Sequence, residues 1–142
     1  MMDVFNIVID TNVVVAALRS KRGASFKLLS LLGTKKFSSH DSVALVLEYE
    51  DVLQRHRGEF GLTQEDVSDL IDSLCVLAKH HEIYFLWRPS LPDANDELIL
   101  ELAVSAQCEY IVTHNIGDFK GAEKFGIKTV TPGAFLKIIG EV

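Results

Sequence analysis

Residues 4–9 read Val-Phe-Asn-Ile-Val-Ile, apolar at five of six positions, and the run ends in Asp10. Rich in Val and Ile and without polar alternation, it suits a strand buried on both faces, as found in parallel sheets covered by helices on both sides. Parallel neighbours need crossover connections, so strand-like and helix-like stretches must alternate along the rest of the chain. The same reading gives Asp10 a place. In open α/β sheets the carboxyl ends of the strands form the crevice that takes ligands. Asp is also a preferred helix cap, and taken alone Asp10 reads first as the cap of a helix that follows.

The alternation is present. Residues 13–20 predict a short apolar helix, and Lys21-Arg22-Gly23 a break. A second helix from Ala24 carries Phe26, Leu28, Leu29, Leu31 and Leu32 as far as Gly33. Residues 36–39 predict a short strand, then a helix from His40 or Asp41 to His56 whose Leu45, Tyr49, Val52 and Leu53 form a stripe with Glu48 beside it. Thr63 and Asp66 have the spacing of a capping box before Val67, Leu70, Ile71, Leu74, Leu77 and Ala78. A strand is expected over 82–86 and a rigid loop over 88–92, with His80 and His81 exposed at a helix end. Asp93 or Asn95 can cap a helix bearing Leu98, Ile99, Leu102, Ala103 and Ala106, with Asp96 in its first turn. Strands over 110–113 and 127–130 follow, and Pro132 fits the first turn of a last helix. The expected fold is an α/β/α sandwich on a mainly parallel, about five-stranded sheet, with residues 1–142 forming one domain.

A chain of 142 residues can bury roughly 70% of the surface its unfolded form exposes. Cys75 and Cys108 show no CxxC spacing, which predicts buried thiols in a reducing compartment rather than a disulfide or a structural zinc site. With no basic and apolar leader and no apolar run near about 18 residues, the expectation is a cytoplasmic protein without a membrane role. A formal net charge of -6 argues against broad attraction to nucleic acid. Yet basic residues cluster at Lys21, Arg22 and Lys27, at Lys35 and Lys36, and at Arg55, His56 and Arg57. Such clusters are either solvated surface or a hold on a phosphate backbone.

Four carboxylates stand at comparable places: Asp10 after the first strand, Glu48 beside a helix stripe, Asp96 at a helix start and Asp118 after the fourth strand. Each has an ordinary explanation as cap, solvated edge or turn residue. Together they are ends that an α/β sheet brings near one another. Two unit charges 4 Å apart repel by about 4 kcal/mol at an effective dielectric near 20, so such a group shifts its pKa values or recruits a cation. Oxygen-only ligands suit Mg²⁺ or Mn²⁺ rather than zinc. A hard ion so held serves phosphodiester hydrolysis, by activating water and neutralising phosphate charge.

At these residues the sequence resembles the PIN-domain nucleases. Ile9-Asp10-Thr11-Asn12 is similar to the opening motif of that family, and Glu48 before Tyr49-Glu50-Asp51-Val52-Leu53 to its second acidic position. Asp96 before Glu97-Leu98-Ile99 resembles the third, and Thr113-His114-Asn115-Ile116-Gly117-Asp118-Phe119 resembles Thr-x-Asn-x-x-Asp-Phe with the fourth acid. The resemblance implies a PIN-like fold in which Asp10, Glu48, Asp96 and Asp118 are the catalytic and metal-holding acids. Asn12, Thr113, Asn115 and Asp93 would orient carboxylates or waters around them. Small members of the family, the VapC-like toxins, are commonly Mg²⁺- or Mn²⁺-dependent endoribonucleases of toxin–antitoxin pairs, often dimeric and silenced by a cognate antitoxin. RNA substrate, antitoxin partner and homodimer are therefore expected by resemblance, not from the residues.

The same residues admit other readings. His114 could serve as a general base. An aspartyl-phosphate phosphatase would want a second Asp two residues after Asp10, where Asn12 stands, and a signalling receiver would want an acceptor Asp near residues 85–88, where there is none. A catalytically silent binding module of the same fold keeps all the motifs, but has little reason to keep mutually repelling carboxylates.

Overall fold

The structure, a computed structural model, describes residues 4–83 and 93–142. Its elements run β1 (Phe5–Ile9), α1 (Thr11–Arg19), α2 (Ala24–Ser30), β2 (Phe37–Ser42), α3 (Val43–His56), α4 (Gln64–Val76) and β3 (Lys79–His81). Then come α5 (Ala94–Ser105), β4 (Tyr110–Val112), two short 3₁₀ turns at Ile116–Phe119 and Ala122–Phe125, β5 (Lys128–Val130) and α6 (Pro132–Ile138).

The strands form one sheet in the order β3-β2-β1-β4-β5, and all four pairings are parallel. The expected α/β architecture with five strands is what the chain adopts. Ile7, Val8, Ile111 and Val112 are fully buried at its centre, the outcome expected for strands covered on both faces. The chain steps from β1 to β2 to β3 through α1–α4 and makes the reverse jump to β4 through α5; with the right-handed crossovers usual for parallel strands, the two sets of helices cover opposite faces. On the α1–α4 face, Phe135 of α6 packs edge-to-face against Phe37 and Tyr110. The chain changes direction between β1 and β4, so a topological switch point lies at the carboxyl ends of those two strands.

Several elements begin where their caps dictate. Thr63 and Asp66 form the reciprocal capping box at the start of α4. Asp93 caps α5 by accepting from Asn95 N, and Thr131 caps α6 with Pro132 in its first turn. The α2 helix is shorter than its apolar pattern, since Leu31 and Leu32 lie in the turn leading to Gly33, whose φ is +83°.

Two boundaries differ from the sequence expectation. His40 and Asp41 belong to β2, and α3 starts after Ser42, whose hydroxyl accepts from Leu45 N. The third strand is Lys79–His81 rather than 82–86: Glu82 and Ile83 follow it, and residues 84–86, like the loop over 88–92, lie outside the described residues. His80 and His81 are thus strand residues, not a helix end. His80 Nδ1 pairs with the buried Asp41 carboxylate, and His81 Nε2 lies 2.7 Å from His40 Nδ1, whose other nitrogen faces Asn6 Oδ1 at 2.9 Å. Since Asn6 Oδ1 only accepts, His40 donates from Nε2 and accepts at Nδ1 from the His81 N–H. These polar pairs fasten an edge strand that has no apolar side chain.

Candidate active site

The first carboxylate of the site is also a helix cap. Asp10 leaves β1 with its backbone N–H on Val112 O of β4 at 2.9 Å, and its Oδ1 accepts from Thr11 N at 2.7 Å. Capping accounts for one oxygen only. Oδ2 accepts from Thr113 Oγ1 at 2.7 Å and from Asn12 Nδ2 at 3.3 Å. Thr113, with no exposed surface, joins the two strand ends: its hydroxyl also accepts from Asn12 Nδ2 at 3.1 Å and Asn115 N at 3.0 Å, while Asn12 Oδ1 accepts from His114 N at 3.2 Å. The Thr-x-Asn-x-x-Asp segment is therefore bonded through its first hydroxyl to the Asp-Thr-Asn segment.

Glu48 reaches the same place from α3. Its neighbour Tyr49 is buried and donates its hydroxyl to the carbonyl of Ile9, one residue before Asp10. That bond fixes the rotation of α3 against the end of β1. Asp96 arrives in the first turn of α5 and Asp118 in the first 3₁₀ turn after β4. Asp10, Glu48, Asp96 and Asp118 line one cleft of about 340 Å³, with Asn12, Asp93 and Asn115 also in its wall. Seven of the eight expected residues line this cleft, and the eighth, Thr113, lies beneath Asp10.

The charges act on one another. Burial raises the Asp10 carboxyl above the usual range, the bonds from Thr113 and Thr11 pull it down, and the Asp118 and Asp93 charges add to the rise. Glu48 is raised by burial first and then by the charges of Asp10, Asp93 and Asp51. Asp96 is pushed up to about 6, by burial and then by Asp10, Asp93, Asp118 and Glu48. With no donor among the described residues comparable to those on Asp10, it takes the repulsion most fully. The donor set is all oxygen, and Glu48 Oε2 is a buried carboxylate atom without a hydrogen-bond partner among the described residues, a combination that fits a hard divalent cation. Among the described residues no three acidic, histidine or cysteine side chains already converge on one ion.

His114 is turned elsewhere, its Nε2 bonded to Ser25 Oγ of α2 at 2.7 Å, and it does not line the cleft. Arg19 does line it, and sequence reasoning passed it over. Its signal was spacing: Thr11, Val15 and Arg19 recur every four residues, as one ridge of a helix does. Arg19 reaches Glu59 with Nε–Oε2 at 2.9 Å and a second nitrogen to Oε1 at 3.4 Å.

The PIN domain family model matches residues 6–117, a stretch holding Asp10, Glu48 and Asp96 and stopping one residue before Asp118. No curated protein matches the chain. Among solved structures, the chain is similar to VapBC2 from Rickettsia felis bound to a DNA fragment from their promoter, with TM-score 0.60, 17% identity, and 87% of this chain and 96% of that chain covered. It is also similar to VapBC-1 from nontypeable Haemophilus influenzae, with TM-score 0.56, 15% identity, and 90% and 98% covered. With 112 of its 142 residues matched, this chain belongs to the PIN domain family.

Proposed function

We propose that this protein is a metal-dependent endoribonuclease that hydrolyses phosphodiester bonds in RNA and acts as the toxin of a toxin–antitoxin pair. One observation carries the reading: four carboxylates from four separate elements line a single cleft at the switch point of the sheet. Asp10, Asp96 and Asp118 would hold Mg²⁺ or Mn²⁺ directly or through water, with Glu48 Oε2 completing the pocket. A bound divalent ion supplies an activated water and neutralises charge on the phosphate. The chain's own share is orientation. Thr113 and Asn12 fix the Asp10 carboxylate through Oδ2, Asn115 is anchored to Thr113 by its backbone, and Asp93 adds negative charge at the head of α5.

The similar structures come from VapBC assemblies, which supports a cognate antitoxin as partner. A homodimer and a cytoplasmic location belong to the same reading.

The test is to incubate purified protein with end-labelled single-stranded RNA, with and without Mn²⁺, beside Asp96→Asn and a matched DNA. Cleavage should require the metal, fall at least about 100-fold in the variant, the scale of losing an electrostatic contribution to the transition state, and favour RNA. No metal-dependent cleavage across several RNAs would leave a silent binding module. Toxicity on expression, relieved by the neighbouring reading frame, tests the toxin role separately.

A further inference from the structure

We propose that Arg19 is the residue that holds the phosphate backbone of the substrate, at the far end of a groove that starts at the acidic cleft; the proposal rests on the nuclease reading above. The basic clusters of the sequence are not equivalent. Lys27 and Lys36 both turn to Glu141, at 2.7 Å to its carbonyl and 2.6 Å to its carboxylate. Arg55 pairs with Asp51 within α3, and Arg57 bonds to Gln54. Of the described residues that line the cleft, only Arg19 carries a positive charge.

Its position follows from two helix ridges. Thr11, Val15 and Arg19 of α1 line the cleft together with Glu48 and Val52 of α3, and the next place on the α3 ridge is His56. At 1.5 Å per residue, Arg19 lies about 12 Å along α1 from Thr11. The groove is thus acidic at one end, apolar at Val15 and Val52, and holds the Arg19 guanidinium, paired with Glu59, at the other. A lone phosphate cannot use both ends. A strand of nucleic acid can, with one phosphodiester over the carboxylates, an apolar base or sugar face on the valines, and a neighbouring phosphate at Arg19.

Glu59 shows what Arg19 is shaped to receive. The guanidinium meets two carboxylate oxygens in a forked arrangement, the geometry that also fits two oxygens of a phosphate. Both side chains are about half exposed, at 55% and 47%, so the pair adds little to stability and exchanges readily for phosphate. Glu59 keeps the guanidinium extended until a strand arrives.

The experiment measures Mn²⁺-dependent cleavage of a fluorescein-labelled single-stranded RNA of mixed sequence, and its binding by the cleavage-impaired Asp96→Asn protein as a function of salt. Arg19→Gln should raise KM about tenfold, as loss of one charge-assisted contact does, with kcat held within about twofold. In the Asp96→Asn background the same change should make the slope of log affinity against log salt shallower by about 0.7. Arg19→Lys should restore the slope and part of the KM, and Glu59→Gln should leave KM equal or lower. An unchanged KM and slope in Arg19→Gln overturns the proposal while the nuclease reading stands; so does a Glu59→Gln variant that weakens RNA as much as Arg19→Gln, which would make the pair structural. If wild type binds RNA without cutting it, the salt slope still decides Arg19 while the hydrolytic reading fails. If it does neither, both fall.

Discussion

Asp96 carries the least accommodated charge in the cleft. Its folded pKa, about 6, lies above the ordinary 3.8, so the folded chain holds this proton more tightly than the unfolded chain does. The ionised group therefore costs stability above about pH 6, and the cost is relieved as pH falls toward 4. Without metal, Asp96→Asn should be about 1 kcal/mol more stable than wild type at pH 7, once solvent screening of this half-buried group is allowed for. The gain should vanish near pH 4, and urea unfolding at the two pH values checks it; an equal gain at both would remove electrostatics as the cause. Asp10 behaves differently because three donors point at it. An amide there would turn its NH₂ toward Thr113 or Asn12, so Asp10→Asn should give no comparable gain. Thr113 is the residue on which those bonds converge. Thr113→Val should cost about 2 kcal/mol by stranding Asn12 and Asn115 N and stripping a donor from Asp10, whereas Thr113→Ser should stay near wild type in thermal unfolding.

At the scale of elements, what could be read in advance tracked what a side chain packs against. Strands β1 and β4 are apolar and central, and their patterns stood out; so did α4, with its capping box and Val67–Ile71 face. Thr63→Ala should lower stability by about 1 kcal/mol through that cap, read from the shift in urea midpoint. Strand β2 beyond Ser39 and all of β3 were not legible, because His-Asp-Ser and Lys-His-His present no hydrophobic period. Their place in the sheet depends on pairing across strands, Asp41 with His80 and His40 with His81 and Asn6, which no local window contains. The His40 imidazole is pushed down to about 4, by burial and then by His81 and Lys79. Its neutral bonds therefore stabilise the edge strand above about pH 6.5, and that contribution is lost as pH falls toward 4, opposite in sign to Asp96. A His40→Gln variant should be less stable than wild type at pH 7 and converge with it near pH 4; a constant difference would mean that His40 acts by packing alone. For the candidate site, motif order named the acids, whereas Arg19 needed the structure, since only adjacency of α1 and α3 shows where its ridge leads.

For the molecule as a whole, strand order is what turns scattered acids into one cleft. Asp10 and Asp118 follow neighbouring strands at the reversal of the sheet, α3 brings Glu48 from one face and α5 brings Asp96 from the other. Such a site stores repulsion that an ion would relieve, so binding and folding are linked. Mn²⁺ at 100 times its dissociation constant should add about 2.7 kcal/mol to unfolding, and Asp96→Asn should lose most of that increment; a thermal midpoint indifferent to Mn²⁺ and Mg²⁺ in wild type would count against a metal cleft. The bond from Tyr49 to the Ile9 carbonyl has a further use. Burial and the charges of Asp10, Asp41 and Glu48 hold its phenol well above the ordinary value of 10, so this ring resists forming phenolate while α3 stays seated on β1. In a chain whose other two tyrosines, Tyr84 and Tyr110, are replaced by Phe, the ultraviolet band of ionised tyrosine at alkaline pH would then mark, without any added dye, the moment at which the wall bearing Glu48 lets go of the sheet.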